Sequence, residues 1–344
     1  QVELAMHLIS ESYLPGADLQ SAFQTFFHKL FDRYGLILIN PMDPALRRLA
    51  VPTVRAAIES AVDLNQEIIA RSADLERAGY HAQCHVTAET SPVFLMQERR
   101  RTTLTIDGEY VSGRQRYPVV DLCELLDEAP ERFSPNVLLR PIIQDFLLPT
   151  AVYVAGPAES AYLAQAEVLY RRLLGRMPVI TPRASFTILD SGAERYLKRY
   201  ELDVSDCFQQ VESLRRCISE RLIPSSLEKA FHDGETSINT SLDTISTDLT
   251  RFDPTLSAAL SNVRKKILYQ FGKARSSVAR ESLRRDARAE REATHLANLV
   301  FTNGVLQERS FSALSFLARH GEHFLDRIYD SIHDNRHDHQ VMVI

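Results

Sequence analysis

The stretch Pro149–Gln165, PTAVYVAGPAESAYLAQ, joins a short apolar run to residue types that can bind or deprotonate a ligand. The run Ala151–Ala155 meets Gly156-Pro157, and Glu159 follows as the third residue of a helix-like pattern. A strand that enters a helix through a tight turn is a common ligand site in α/β proteins. Proline at the first helical position removes a free N–H donor, and the glutamate repels anions. The turn therefore favours an amine- or hydroxyl-bearing ligand over a phosphate, unless Glu159 only caps its helix.

Polar side chains on both sides of this turn are further candidates for substrate binding. Tyr162 and Gln165 continue the helix face of Glu159 at steps of three, although Tyr162 could equally belong to the core. Arg183 follows an apolar, strand-like run and could clamp a carboxylate or a phosphate, or simply lie on the surface. Upstream, SPNVLLRPIIQD places four polar residues among apolar ones, where burial would demand partners: Asn136, Arg140, Gln144 and Asp145. An internal pair of Arg140 with Asp145 is the alternative to a substrate role.

Histidine and cysteine spacings give little support for a metal site. His333 and His337 stand at positions i and i+4, which suits chelation on a helix, but no H-E-x-x-H pattern accompanies them. His81 and His85 flank Cys84 on a predicted strand. The four cysteines show no C-x-x-C spacing, which indicates reduced thiols. We predict no bound metal.

Composition places the chain among cytoplasmic globular proteins. The 344 residues are 44% hydrophobic and 25% charged, with a net charge of −5. No overall basic field favours nucleic acid. The most apolar region, Val137–Ala158, is interrupted by charged residues, so no membrane span is predicted.

Two predicted strand–helix units must position the candidate residues. GLILIN, residues 35–40, is a predicted strand that leads to a helix with Asp43 as its cap and Pro44 at its first position. The second unit is a strand at 151–155, a helix at 158–174 and a strand within 177–189. Between them, the segment from about residue 80 to 120 is predicted to form a small antiparallel insertion with a hairpin at Asp107-Gly108. The fold class is α/β, with a partial Rossmann-like, mostly parallel sheet.

From about residue 205 the pattern becomes that of long helices. Apolar residues recur at steps of three and four before and after Asp253-Pro254, which predicts a long antiparallel α-helical coiled coil. Its second helix would span about 40 residues, or about 60 Å. The charged run 280–292 is solvated or, alternatively, part of a dimer seam. We predict a core at 1–204, a coiled-coil domain at 205–300 and a segment at 301–344 that packs back on the core.

One long stretch resembles a known family. Residues 133–189 contain SPNVLLRP, LLPT, YVAGPAE, AYLAQ and MPVITPRASF in this order. Together they closely resemble the BshC family of cysteine-adding enzymes in bacillithiol synthesis. GLILINPMDPALRRLA and NGVLQERSFSALSFLARHGEHFLDRI resemble further segments of that family. The chain looks like the C-terminal two-thirds of a family member, because the family's glycine-rich first half has no counterpart here. We therefore expect this chain alone to be inactive.

The resemblance implies a Rossmann-type core, a coiled coil that supports a homodimer, and a place in the bacterial cytoplasm. The implied activity joins the carboxyl of cysteine to the amine of glucosaminyl-malate. A nucleotide, ATP, is the expected co-substrate, because a free carboxylate does not acylate an amine without activation.

Roles follow from this chemistry. Glu159 would bind or deprotonate the sugar amine, and Arg183 would hold a phosphate or the malate carboxylates. Four of the other candidates would line or brace the pocket: Asn136, Arg140, Gln144 and Asp145. Tyr162, Gln165 and Gly156 would contact the substrate. Two alternatives stay open: an inert coiled-coil dimerisation and scaffold module, and a nucleotidyl-transfer enzyme on the same fold, which would release pyrophosphate without consuming cysteine.

Overall fold

The computed structural model describes residues 2–97, 100–332 and 338–344. Contacts within the chain define two units. The first unit is Leu8–Arg183, and the second is Ala184–Ile344 together with the start of the chain up to His7. The predicted three-part division, with bounds at 204 and 300, is not tested by these units and stays a prediction.

Within the described residues, seven α-helices precede the end of the first unit, and several begin where the sequence places a cap. Asp18 accepts a hydrogen bond from the Ser21 N–H, and Asp43 accepts one from the Ala45 N–H. Both arrangements satisfy a donor that the first helical turn leaves free. The helices are α1 (Val2–Ser12), α2 (Leu19–Phe31), α3 (Pro44–Glu59), α4 (Ala61–Arg77), α5 (Val119–Glu128), α6 (Arg140–Leu147) and α7 (Pro157–Leu174).

The predicted antiparallel insertion is confirmed. Five strands pair in the order β4-β3-β2-β1-β5, and Asp107 lies opposite Glu109 across Gly108, whose φ of +70° suits glycine. The strands are β1 (Thr90–Gln97), β2 (Arg100–Asp107), β3 (Glu109–Ser112), β4 (Gln115–Tyr117) and β5 (Phe133–Pro135).

A parallel strand pair carries the turn that motivates the site. β6 (Val152–Ala155) pairs with β7 (Val179–Pro182), with Ala155 opposite Pro182. The helix α7 connects them, as parallel pairing requires. The strand predicted for GLILIN is wrong, because residues 36–40 form no strand and Ile37 is 82% exposed.

The core of the first unit lies between its long helices and β1. Ala57, Leu95, Leu122 and Leu163 belong to one cluster and are fully buried. The cluster fixes α3, α4 and α7 around the sheet. Among the described helices, none is long and apolar enough to cross a membrane.

The second unit is mostly helical around a second parallel pair. β8 (Phe186–Leu189) pairs with β9 (Gln340–Val343). The predicted strand at 177–189 is therefore two strands, β7 and β8, in different sheets. Gln307 hydrogen-bonds both the N–H and the C=O of Ile188, which covers part of the open edge of β8. The helices are α8 (Ser191–Arg199), α9 (Val211–Arg221), α10 (Ser225–Phe252), α11 (Pro254–Arg285), α12 (Ala287–Val300), α13 (Gln307–Ser310), α14 (Ala313–His320) and α15 (His323–Ile332).

The predicted coiled coil is formed by α10 and α11, which pack together and meet at Asp253-Pro254. Arg275 pairs with Glu228 across the two helices at 2.6 Å. The predicted length of the second helix is wrong, since α11 has 32 residues. Asp286 ends it by accepting N–H groups from the first turn of α12.

Candidate functional site

Glu159 lies in the first turn of α7, and its carboxylate has two partners. The Gly156 N–H donates to Oε2 at 2.9 Å, and the Tyr162 hydroxyl donates to Oε1 at 3.3 Å. Gly156 precedes the helix and Pro157 is its first residue, as the sequence predicts. The bond to Gly156 is one half of a capping box. The carboxylate is only half-buried, so its remaining acceptor sites can receive an amine or a hydroxyl.

Arg140 and Tyr162 extend this arrangement from a second helix. Arg140 is the first residue of α6, and its guanidinium donates to the Tyr162 hydroxyl at 3.1 Å. Tyr162 is buried. A cation, a phenol and a carboxylate therefore stand in one hydrogen-bonded row, which we call the Glu159 cluster: Arg140, Tyr162 and Glu159.

Tyr153 belongs beside this cluster, although no motif in the sequence points to it. Burial raises the pKa of Tyr153 to about 12, and Tyr162 and Glu159 add to the effect. The phenol therefore stays protonated near neutral pH. In β6, Tyr153 is half-buried between two exposed valines. Alternation along a strand could have indicated that Tyr153 faces inward, but a strand of four residues gives only a weak signal of this kind.

The backbone of Arg183 lies at the same end of the parallel pair as Gly156. Arg183 directly follows β7, and its N–H donates to the Ala155 carbonyl at 2.8 Å. Both Gly156 and Arg183 therefore mark the carboxyl ends of paired strands, where α/β sheets bind ligands. The Arg183 side chain is exposed.

Asp145 is a buried brace. It is 1% exposed, accepts the Thr150 N–H at 2.6 Å, and pairs with Arg176 at 2.9 Å. The alternative pair of Arg140 with Asp145 is wrong, because Arg176 takes that place. Gln144, which precedes Asp145 on α6, is exposed.

Asn136 and Gln165 hold the backbone of other segments. Asn136 accepts the N–H groups of Leu138 and Leu139 and donates to the Ser91 carbonyl at 3.1 Å. Gln165 is fully buried and bonds both the N–H and the C=O of Cys84. Its amide also donates to Ser72 at 2.8 Å. All hydrogen-bonding groups of Gln165 are thus engaged within the protein, which gives it a bracing position.

The β6–α7 turn does not fit a nucleotide phosphate. Pro157 has no N–H, and the Gly156 N–H is engaged by Glu159. A phosphate at a helix N-terminus needs such donors and no competing carboxylate. The turn fits a cationic or hydroxyl-bearing group instead.

Among the residues that the structure describes, no cluster of three or more histidine, cysteine or acidic side chains could hold a metal. His333 and His337 lie outside the described residues. His339 is described, and its ring nitrogens bond the hydroxyls of Ser185 and Thr187 at 2.7 and 2.8 Å.

Two domain models of one family match the chain. Residues 2–184 match the N-terminal Rossmann-like domain of bacillithiol biosynthesis BshC, and residues 186–344 match its C-terminal coiled-coil domain. The predicted fold class, a Rossmann-like α/β domain with a coiled coil, is thereby confirmed.

Similar curated proteins carry the name "Putative cysteine ligase BshC". The one from Solibacter usitatus is 42% identical over 98% of this chain and 64% of its own length. Those from Koribacter versatilis and Salinibacter ruber are 34% and 32% identical, over 61% and 62% of their own lengths. The chain thus spans less than two thirds of the length of these relatives.

Proposed function

Because the chain belongs to the bacillithiol biosynthesis BshC family, we propose that it takes part in joining cysteine to glucosaminyl-malate. The product is an amide between the cysteine carboxyl and the sugar amine, which completes bacillithiol. The reaction belongs to the bacterial cytoplasm. The observation that carries the proposal is the Glu159 cluster, whose half-buried carboxylate has acceptor sites left for an amine.

Amide formation requires a neutral amine as the nucleophile, and Glu159 serves this need. Its carboxylate binds the protonated sugar amine and accepts its proton. The neutral amine then attacks the activated cysteine carboxyl, and the activating group leaves as the amide bond forms. Arg140 and Tyr162 hold the carboxylate in place through the hydrogen-bonded row. Arg183, at the end of β7, holds a malate carboxylate or a phosphate.

The remaining predicted residues support this pocket. Gly156 orients Glu159 through its N–H. Gln144 presents an exposed amide for substrate contact, whereas Asn136, Asp145 and Gln165 brace the segments that form the walls.

ATP is the co-substrate that we propose for carboxyl activation, since a free carboxylate resists attack by an amine. The β6–α7 turn offers no phosphate site, because Glu159 already engages the Gly156 N–H. The family's Rossmann-like domain is compatible with nucleotide binding.

The coiled coil serves a homodimer in this proposal. One face of α11 carries exposed side chains at steps of four, three and four, of which three are apolar and one, Gln270, is polar: Val263, Ile267, Gln270 and Ala274. Val263 and Ile267 are 46% and 37% exposed. An exposed stripe of this spacing is typical of a helix–helix seam. A scaffold function alone is the alternative, and this stripe favours it as much as it favours an enzymatic dimer.

The substitution Glu159→Gln separates catalysis from capping. Glutamine retains an oxygen that accepts the Gly156 N–H, so helix stability is preserved, but the base and the negative charge are lost. In the full-length protein we expect bacillithiol formation to fall by about 100-fold or more. The measurement is thiol product formed from cysteine and glucosaminyl-malate, followed by mass spectrometry.

Two further variants serve as controls. Glu159→Ala removes both the cap and the base, so it should lose activity and also melt earlier. Glu167→Gln changes a glutamate of the same helix that pairs with Arg71 and Arg171, and it should retain activity. Full activity of Glu159→Gln would show that Glu159 only caps α7.

A further inference from the structure

A cavity of about 410 Å³ opens on the solvent side of the antiparallel sheet. Its floor is formed by β1 and β2, one wall by the segment 84–91, and the other by residues 136–138. We call it the sheet cavity. The Glu159 cluster does not contribute to its lining.

Arg101 is an oriented cation in this cavity. Its guanidinium lies over the Phe94 ring at 4.6 Å and donates to the Ser134 hydroxyl at 2.5 Å. Stacking on one side and a hydrogen bond on the other fix the plane of the group, while its other N–H donors stay available. Within the described parts of the chain, Arg101 forms no ion pair with a carboxylate. An arginine held in this way is preorganised for an anion.

Two hydroxyl groups on the same strand as Arg101 also line the cavity. Thr103 and Thr105 flank the buried Leu104 on β2 and, two and four residues beyond Arg101, share the face of Arg101. Over the residues that the structure describes, neither hydroxyl has a hydrogen-bond partner in the protein. Both can donate to a ligand beside the guanidinium. Glu89 lines the cavity as well and makes that part unfavourable for a second anion.

Two of the bracing residues, Gln165 and Asn136, hold the walls of the cavity. Gln165 fixes Cys84 through both backbone groups of that residue, and Asn136 links the Ser91 carbonyl to the start of the next helix. Cys84 and Asn136 both line the cavity. A buried glutamine that is fully engaged in holding one wall keeps the cavity open in a defined shape.

We propose that the sheet cavity binds a small anion, a carboxylate or a phosphate group, through the guanidinium of Arg101 and the hydroxyls of Thr103 and Thr105. The site is distinct in its residues from the Glu159 cluster. The proposal is independent of the ligase activity, because its test is equilibrium binding.

Calorimetric titration with malate and, separately, with inorganic phosphate tests the proposal, with sodium chloride as the blank. At least one of the two anions should bind the wild-type chain. Arg101→Gln should weaken that binding by about tenfold or more, because a charge-assisted fork is lost. Thr105→Val should weaken it by a smaller factor. The anion that binds with the higher affinity shows whether the site prefers a carboxylate or a phosphate group.

The neighbouring arginine of the same strand provides a matched control. Arg100→Gln removes the same charge next to Arg101, but Arg100 does not line the cavity. The affinity of the Arg100→Gln variant for the anion should equal that of the wild type. Cys84 gives a second readout, since a bound anion should slow alkylation of this thiol in the wild type and in Arg100→Gln but not in Arg101→Gln. Absence of binding by both anions, or equal affinity of Arg101→Gln and Arg100→Gln, would overturn the proposal.

Discussion

Glu292 is a buried carboxylate of the second unit with three polar partners. It is buried on α12, accepts the Tyr200 hydroxyl at 2.7 Å and Arg288 at 2.9 Å, and pairs with Arg199. Burial would raise its pKa, but the hydrogen bonds from Arg199, Tyr200 and Arg288 outweigh burial and lower the pKa to about 2. The charged run 280–292 is therefore not uniformly solvated, because this residue joins α8 to α12.

Replacement of Glu292 by glutamine should remove a pH-dependent part of stability. A carboxyl with a lowered pKa stabilises the fold above its unfolded pKa of about 4.3. That contribution disappears as the pH falls from about 4.3 toward 2. We expect Glu292→Gln to lower the free energy of unfolding by about 3 kcal/mol near neutral pH. Urea denaturation at neutral and at acidic pH measures both effects, and the variant should show the weaker dependence on pH.

Glu281 is the control for this prediction. Its pKa is also lowered to about 2 by hydrogen bonds from Arg284 and Arg285, yet all three side chains lie on an exposed helix surface. Solvent screens such pairs. Glu281→Gln should therefore scarcely change stability, and a loss equal to that of Glu292→Gln would contradict the role given to burial.

The coiled coil contains two glycines in very different surroundings. A Cβ placed on Gly234 of α10 would lie 2.7 Å from Cζ of Phe271, whereas a Cβ on Gly272 of α11 would meet nothing within 4 Å. Phe271 packs edge-on against Phe231 at 5.4 Å, so its ring cannot turn without loss of that contact. Gly234 thus provides close approach between the helices, and Gly272 does not.

Alanine substitutions should stabilise the protein at Gly272 but not at Gly234. Alanine gains about 1 kcal/mol over glycine in a helix interior. Gly272→Ala should show most of that gain. At Gly234 the overpacking cost of about 1–3 kcal/mol should cancel or exceed it. Thermal unfolding followed by circular dichroism measures both, and equal stabilisation by the two variants would argue against close packing at Gly234.

At the scale of the whole molecule, the exposed stripe of α11 predicts self-association. Ile267 is in its centre, while Tyr269, which is 61% exposed, faces away from it on the same helix. A charge at the centre of an apolar seam would be buried without a partner.

Sedimentation equilibrium tests this seam. The wild type should be dimeric, Ile267→Asp should shift the dissociation constant upward by about tenfold or more, and Tyr269→Asp should leave the dimer intact. A monomeric wild type, or a fully dimeric Ile267→Asp variant, would place the association elsewhere or exclude it.

Local features of this protein follow from the sequence. The caps at Asp18 and Asp43, the Gly156–Glu159 turn, the hairpin at Asp107-Gly108 and the helix break at Asp253-Pro254 all involve residues that are close in the chain. Hydrogen bonds over three or four residues depend on little else. The family resemblance likewise rests on consecutive residues.

Partners that are distant in the chain were decided by tertiary packing alone. Asp145 pairs with Arg176, 31 residues away, and Gln165 holds Cys84, 81 residues away. GLILIN has the composition of a strand, but a strand forms only beside a partner, and residues 36–40 have none in the described structure. The sheet cavity joins three separate segments. Such positions depend on how whole elements pack, and no single stretch of sequence contains that information.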